Sequence, residues 1–292
     1  MKPPLFRYEA PRTLRDAVAV LASDPDAMVL AGGQSLVPAM NFRVATPSVL
    51  VDIQHVEGFK GIAVEGDTIV IKAMTRHREL ELHPEVRRLN PLVAETMQHV
   101  AHVPIRNRGT VVGSLCHADP SAEMPLLFVL LDGTLAATGP TGTRQIAAAD
   151  FFQSFLTTSR RQDEIVIEAR LPVLPAGAGF AFDEVTRRHG DYALVGVGCV
   201  LSLDSNGRAQ NVRLAACGIS DRAVRLRAAE AALAGSVLAS SDLVAAGRAS
   251  ADAVTQTDDM NTSMSYRRRV LSGLIQRLVP IAASGARGGK WQ

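Results

Sequence analysis

The stretch LPVLPAGAG, residues 171–179, separates two parts of the chain that are built in different orders. It holds two prolines and a run of small residues with neither helical nor strand periodicity, so it reads as a linker. Beyond it, three long runs of strand pattern (180–186, 192–203 and 209–219) precede alanine-rich helical patterns at 223–233, 241–254 and 262–282. Strands first and helices afterwards predict an α+β domain, an antiparallel sheet backed by helices. With 292 residues the chain has room for two domains, or three small units.

Ahead of the linker the order is mixed. A helical period over 14–22 follows Thr13, a suitable N-cap. The turn DPD (24–26) leads to an apolar strand at 28–31, and SVLVDI (48–53) reads as a second strand. IAVEGDTIVIKAM (62–74) alternates on both sides of Glu65-Gly66-Asp67, a hairpin pattern. Helices are expected over 75–82 and 84–100, the second opening on a proline that a first helical turn accepts. An irregular loop over 102–125 then precedes a buried helix at 124–131 and strands near 134–138 and 165–171.

Composition removes several function classes. Lys and Arg total 31 against 29 Asp and Glu, and the first basic block is Arg267-Arg268-Arg269. Nucleic-acid binding needs clustered cations, so nucleic acid is not an expected partner; Tyr266 and the three arginines read as a solvated helix beginning. No apolar run approaches a membrane span, and the opening MKPPLFRYEAPRTL carries prolines and charges where a signal peptide needs an apolar core. Cys116, Cys199 and Cys217 are widely spaced with no C-x-x-C. That argues against a disulfide framework and against a zinc or iron–sulfur site built by this chain, and it suits a reducing cytoplasm.

Chemistry concentrates in two glycine loops. AGGQSLVP (31–38) leaves a strand through adjacent glycines and an amide–hydroxyl pair. A lone Gly-Gly is a tight turn, but paired glycines also let successive amides face an anion. RNRGTVVGS (106–114) repeats the theme, with Thr110 and Ser114 and with Arg106 and Arg108 beside them. Two such loops could hold the two phosphates of a dinucleotide from opposite sides. Neither is a G-x-G-x-x-G fingerprint or a P-loop, and Gly196-Val197-Gly198 falls inside a strand pattern. Glu123 opens an apolar helix, either as a carboxylate favoured by the macrodipole or as an acceptor for a ribose hydroxyl. His99 and His102 share a helical face without an evident third metal ligand, so they read as packing residues. Ser35 lacks a nucleophile context and S-x-x-K is absent, so covalent hydrolysis has no motif here. No catalytic or metal-ligating residue is assigned.

AGGQSLVPAMNFR (31–43), VRRLNPLVAETMQHVAH (86–102), IRNRGTVVGSLCHADPSAEMP (105–125), RRHGDYALVG (187–196) and Tyr266-Arg267-Arg268 occur in this order along nearly the whole chain. Together they resemble the medium, FAD-binding subunit of molybdenum hydroxylases. These are the heterotrimeric relatives of xanthine dehydrogenase, among them carbon monoxide dehydrogenase and quinoline oxidoreductase. The resemblance implies an α+β chain with a PCMH-type FAD-binding domain over 1–175, made of two small α/β subdomains (about 1–55 and 56–175). A C-terminal domain over 176–285 and a flexible tail over 286–292 complete it.

It also implies a non-covalent FAD. The pyrophosphate is assigned to the first loop (Ala31, Gly32, Gly33, Gln34, Ser35, Leu36) and, from the other side, to Thr110, Val111, Gly113 and Ser114. His117 is added to the cofactor contacts, Glu123 to the ribose and Tyr192 to the isoalloxazine ring. Three departures stand out. Val112 replaces the usual first glycine of T-x-G-G, Glu123 is one methylene longer than the common Asp, and Glu184 stands where many relatives carry lysine. The implied function is electron transfer. A molybdenum cofactor in a large partner would reduce two [2Fe–2S] clusters in a small partner, and these would reduce the FAD, which passes electrons to an external acceptor. The implied assembly is a dimer of heterotrimers. Two other readings remain at this stage. One is a self-contained flavin oxidase or reductase, with His189 and Tyr192 as the residues near its ring. The other is a scaffold subunit that has lost FAD, to which Val112 points.

Overall fold

The alternation at 62–72 folds as a hairpin, Ile62–Glu65 pairing antiparallel with Thr68–Lys72. Strand Ile165–Pro172 adds to it, followed by Thr134–Gly139 and Gly142–Ala147, giving a five-stranded antiparallel sheet. These elements come from a computed structural model that describes residues 2–260 and 262–288. A separate three-stranded parallel sheet lies N-terminal, with Val49–Asp52 between Arg7–Glu9 and Met28–Leu30. Parallel neighbours require a crossover, and helix Leu14–Ser23 supplies one. Thr13 caps that helix, its hydroxyl accepting from the Asp16 amide at 3.1 Å. Ala17, Val18 and Leu21 then bury against Val49 and Val51.

The third sheet runs Gly179–Val185, Val195–Leu203, Ala209–Cys217 and Val224–Arg225, all antiparallel. Side chains alternate across a strand, and both faces here are buried. Val195, Val197, Cys199 and Leu201 meet the helices Arg227–Leu233, Ser240–Ala249 and Met264–Ala286. Val200, Ala215 and Cys217 face the opposite way, into a core shared with the five-stranded sheet. Helix Glu123–Leu130 fills that shared core, and each of its eight residues is buried. Each such large aliphatic side chain contributes about 1.5–3 kcal/mol, so this helix binds the two parts of the chain together.

Several elements differ from expectation. The helix expected over 84–100 is two, Pro84–Leu89 and Pro91–Thr96. Pro91 has no amide to donate, and Asn90 before it leaves the helical region at φ −147°, ψ 73°. The loop expected over 102–125 contains two short helices, Val103–Arg106 and Val111–His117. The strand expected from 192 begins at Val195, leaving Tyr192 in a turn, and Gly142–Ala147 is an additional strand. The expected linker at 171–179 is held in place. Leu171 and Pro172 belong to a strand, the Val173 amide donates to Asp67 O at 2.9 Å, and the Leu174 amide donates to Leu89 O at 3.0 Å. The last helix reaches Ala286, where a tail was expected to begin; residues 289–292 of that tail lie outside the described residues. No described helix is long and apolar enough to cross a membrane.

Leu130, fully buried, is placed so that its Cδ2 would lie 2.7 Å from a Cβ at Gly198 of the third sheet. Leu130→Ala is expected to cost about 2–5 kcal/mol. Because the helix serves both sheets, thermal unfolding followed by circular dichroism should show one lowered transition and not two separate ones.

Candidate functional site

The two glycines of the first loop have different reasons to be glycine. Gly33 turns the chain at φ +71°, a region costly for a residue with a Cβ. Gly32 lies backbone to backbone against the second loop: a Cβ there would stand 2.5 Å from Arg108 O and 2.7 Å from Gly109 Cα. The loops are therefore in contact before any ligand is considered. Beyond the turn, the amides of Gly33, Gln34, Ser35 and Leu36 make no hydrogen bond to any described residue. These residues are half-buried and lead into helix Leu36–Asn41, whose first amides have no intrahelical partner, and successive unpaired amides form an anion-binding nest.

These amides belong to the wall of a cavity of about 740 Å³, within the roughly 300–1,000 Å³ range of ligand clefts. Of the residues expected at the site, Ala31, Gly32, Gly33, Gln34, Ser35, Leu36, Thr110, Gly113, Ser114, His117, Glu123 and Tyr192 all line it. Val111 does not: its side chain is in the core and its amide donates to Thr75 O at 3.1 Å. The second loop is in fact a helix start. Thr110 is its N-cap, the hydroxyl accepting from the Gly113 amide at 3.1 Å, so that amide is already used. The Val112 amide has no partner among the described residues. Val112 sits in helical conformation, not at positive φ, and its side chain lines the cavity, so valine is accommodated without displacing the loop.

The arginines beside this loop do other work. Arg106 is buried in an ion pair with Glu81 at 2.9 Å and donates to the carbonyls of Val100 and Ala101. Neither Arg106 nor Arg108 lines the cavity. The cation that does is Arg160, whose Nη1 donates to the carbonyls of Arg161, Gln162 and Glu164. Gln162 ties the same segment to the first sheet through Ala27 O at 2.7 Å. Sequence reading passed over this segment; its one signal is the charged run RRQDE immediately before the strand Ile165–Pro172. It also passed over His77, which lines the cavity fully buried, its pKa pushed down to about 4 by burial, and is therefore neutral.

Carboxylates gather at the other end. Burial, reinforced by Glu184, raises the Glu123 carboxyl to about 8, so it is protonated at neutral pH. Glu184 in turn meets His99 Nδ1 at 3.5 Å, which raises the His99 pKa. His99 is thus the partner of a buried acid, and His102 lies edge-on to His189, ring centroids 6.2 Å apart. Among the described residues no group of His, Cys, Asp and Glu is placed to hold a metal. Tyr192 is 54 % exposed, yet its phenol stands on the cavity wall. Burial there, with Asp119 and Glu123, pushes its pKa up to about 12, while a hydrogen bond with Ser35 acts in the opposite sense. His189 does not line the cavity.

The sign of the Glu123 effect on stability follows from linkage. In the unfolded chain its pKa is near 4.5 and in the folded chain about 8. The contribution to stability is full below the lower value and is lost as pH rises through the upper one. Glu123→Gln cannot ionise, so its melting temperature relative to the unsubstituted chain should climb between about pH 5 and about pH 8.5. A constant difference across that range in thermal melts of the flavin-free chain would show that Glu123 is not held neutral.

Comparison with known proteins agrees with this geometry. Residues 4–174 match the family described as the FAD-binding domain in molybdopterin dehydrogenase, and residues 180–281 match the CO dehydrogenase flavoprotein C-terminal domain. The chain is 38 % identical to the 6-hydroxypseudooxynicotine dehydrogenase complex subunit alpha of Paenarthrobacter nicotinovorans, covering 99 % of this chain and 98 % of that one. Among solved structures it resembles quinoline 2-oxidoreductase from Pseudomonas putida 86, with TM-score 0.93, 36 % identity and coverage of 98 % and 99 %. It is similar also to carbon monoxide dehydrogenase from Hydrogenophaga pseudoflava, with TM-score 0.94, 34 % identity and the same coverage. On a fold shared over nearly the full length, this chain belongs to the FAD-binding medium subunits of molybdenum hydroxylase-type dehydrogenase complexes.

Proposed function

We propose that this chain holds FAD non-covalently in the cavity between the two glycine loops and works as an electron-transfer subunit. In this reading a large partner carries the molybdenum cofactor and a small partner carries two [2Fe–2S] clusters. Electrons arrive from those clusters and leave to an external acceptor. FAD supplies the redox chemistry, accepting electrons singly from clusters and releasing them singly or in pairs; the protein holds it, orients it and excludes water. The assembly is a dimer of heterotrimers in the cytoplasm, and the chain divides into an FAD domain over 1–175 and a C-terminal domain over 176–285.

The observation that carries this reading is the row of unpaired amides at Gly33, Gln34, Ser35 and Leu36 on the cavity wall. They would take the pyrophosphate, with the Ser35 hydroxyl beside them. Across the cavity the contribution is narrower than the resemblance implies: the Val112 amide and the Ser114 hydroxyl, with Thr110 as the cap that holds the helix start in place. Arg160 adds the positive charge. Glu123, uncharged at neutral pH, would donate a hydrogen bond to a sugar hydroxyl as well as accept one.

Gly33→Val tests the loop assignment. The fold is expected to lose only about 1–2 kcal/mol for the positive φ, while FAD affinity falls about tenfold or more. Wild-type flavin content after purification would remove the loop from the site. Visible spectra test the wider reading. A flavin spectrum in this chain that the organic substrate bleaches only when both partner subunits are present is the expected result. Bleaching of the chain alone by substrate would make it an enzyme in its own right, and absence of flavin from both preparations would overturn the proposal.

A further inference from the structure

Tyr192 stands in a turn that belongs to neither adjoining strand, Gly179–Val185 or Val195–Leu203. With half of its surface exposed, its place depends on what holds the backbone on either side of it. Toward the N-terminus, Gly190 rests on the imidazole of His102, where an added Cβ would lie 2.5 Å from Cε1. Toward the C-terminus the hold comes from much farther along the chain. Arg267, on helix Met264–Ala286 and 4 % exposed, donates through Nη1 to Leu194 O at 2.8 Å and also to Gly218 O. Its Nη2 meets the Asp259 carboxylate at 2.5 Å. The Gly218 amide then donates to Pro120 O at 2.8 Å, between Asp119 and Glu123. One guanidinium thus ties together the turn that presents the tyrosine and the turn that presents the acids.

The residue type suits this task. Arginine offers a rigid planar fork that reaches several acceptors at fixed angles, whereas lysine offers a point charge on a flexible stem. Burying such a cation is costly even with a carboxylate partner, and an apolar side chain would pack at less expense. The arrangement therefore fits a demand for position. The position reached is specific: Tyr192 and Ser35 of the first glycine loop line the same cavity, so the clamp on the C-terminal helix sets one wall of it.

We propose that Arg267 is the positioning residue of Tyr192, fixing the carbonyls of Leu194 and Gly218 so that the phenol stays on the wall of the FAD cavity. The proposal rests on the reading of Tyr192 as a flavin-facing residue. Its test compares Arg267→Gln, Arg267→Lys and Tyr192→Ala with the unsubstituted chain, each purified as full-length protein with its partner subunits. Hydrogen exchange is followed over 186–194 and over 270–286, and flavin fluorescence is read at equal FAD content. Arg267→Gln should raise exchange over 186–194 by about tenfold, the loss of one charge-assisted hydrogen bond. Exchange over 270–286 should stay within about twofold, as a local opening requires. Flavin fluorescence should change in the direction that Tyr192→Ala changes it, with Arg267→Lys between. Unchanged exchange over 186–194, or an equal rise in the helix, overturns the clamp. A loosened turn with wild-type fluorescence, where Tyr192→Ala does alter it, overturns the link to Tyr192. If Tyr192→Ala leaves the flavin unaltered, the flavin-facing reading fails, and exchange alone then decides whether Arg267 holds the turn. Should Arg267→Gln not fold, the same criteria apply to Arg267→Lys.

Discussion

Everything at the site depends on the contact between two backbones where Gly32 meets Arg108 and Gly109. No side chain intervenes, so the first sheet and the second glycine segment are registered against each other at main-chain distance. That registration frees the next residues. Because Gly32 brings the chain in close and Gly33 turns it away, the amides from Gly33 to Leu36 are left facing space in place of partners. A polar cradle of this kind is stable only because the loops beneath it are fixed by the core: Met74 and Ala73 below the first sheet, and Val111 and Leu115 below the second segment.

Those parts of the fold that depend on local pattern were legible in the sequence. The hairpin at 62–72, the capped helix after Thr13 and the strand–strand–strand–helix order beyond residue 179 all follow from periodicity and turn chemistry, and all are present. What was not legible depends on tertiary contact. The stretch 171–179 has the composition of a linker, but its first residues continue a strand and the next two amides are hydrogen-bonded to Asp67 and Leu89, which are distant in sequence. The helix from 84 is interrupted because Asn90 can leave the helix and give its side-chain amide to Pro172 O at 2.9 Å. The second glycine loop became helical because Thr110 caps it, a signal that the sequence did contain in Thr110 and Gly113.

The resemblance points to two loops, and the structure brings residues of both to the wall of one cavity. Twelve of the residues expected there line one cavity, while Val111 has gone to the core and Arg106 to a buried ion pair. Arg160 was invisible because nothing in RRQDE distinguishes a cation turned toward a cavity from one turned to solvent. At the acidic end Glu123 itself was named from the sequence, but its protonation was not legible. Glu123, Glu184 and His99 come from separate segments, and it is the burial of Glu123, with Glu184 brought near it, that raises the Glu123 carboxyl to about 8.

Helix Glu123–Leu130 begins in the cavity and ends in the core that both parts of the chain share. A helix advances by about 100° per residue, and this one is buried on every side, with no solvent face to receive a misplaced group. Its rotation is therefore fixed at the far end by Leu126 and Leu130 against the third sheet. An inserted or deleted residue anywhere within it would swing Glu123 out of the cavity or force the core apart. The place of its first residue is thereby written into the packing of its last, and an added residue can be absorbed only in the turns outside the helix.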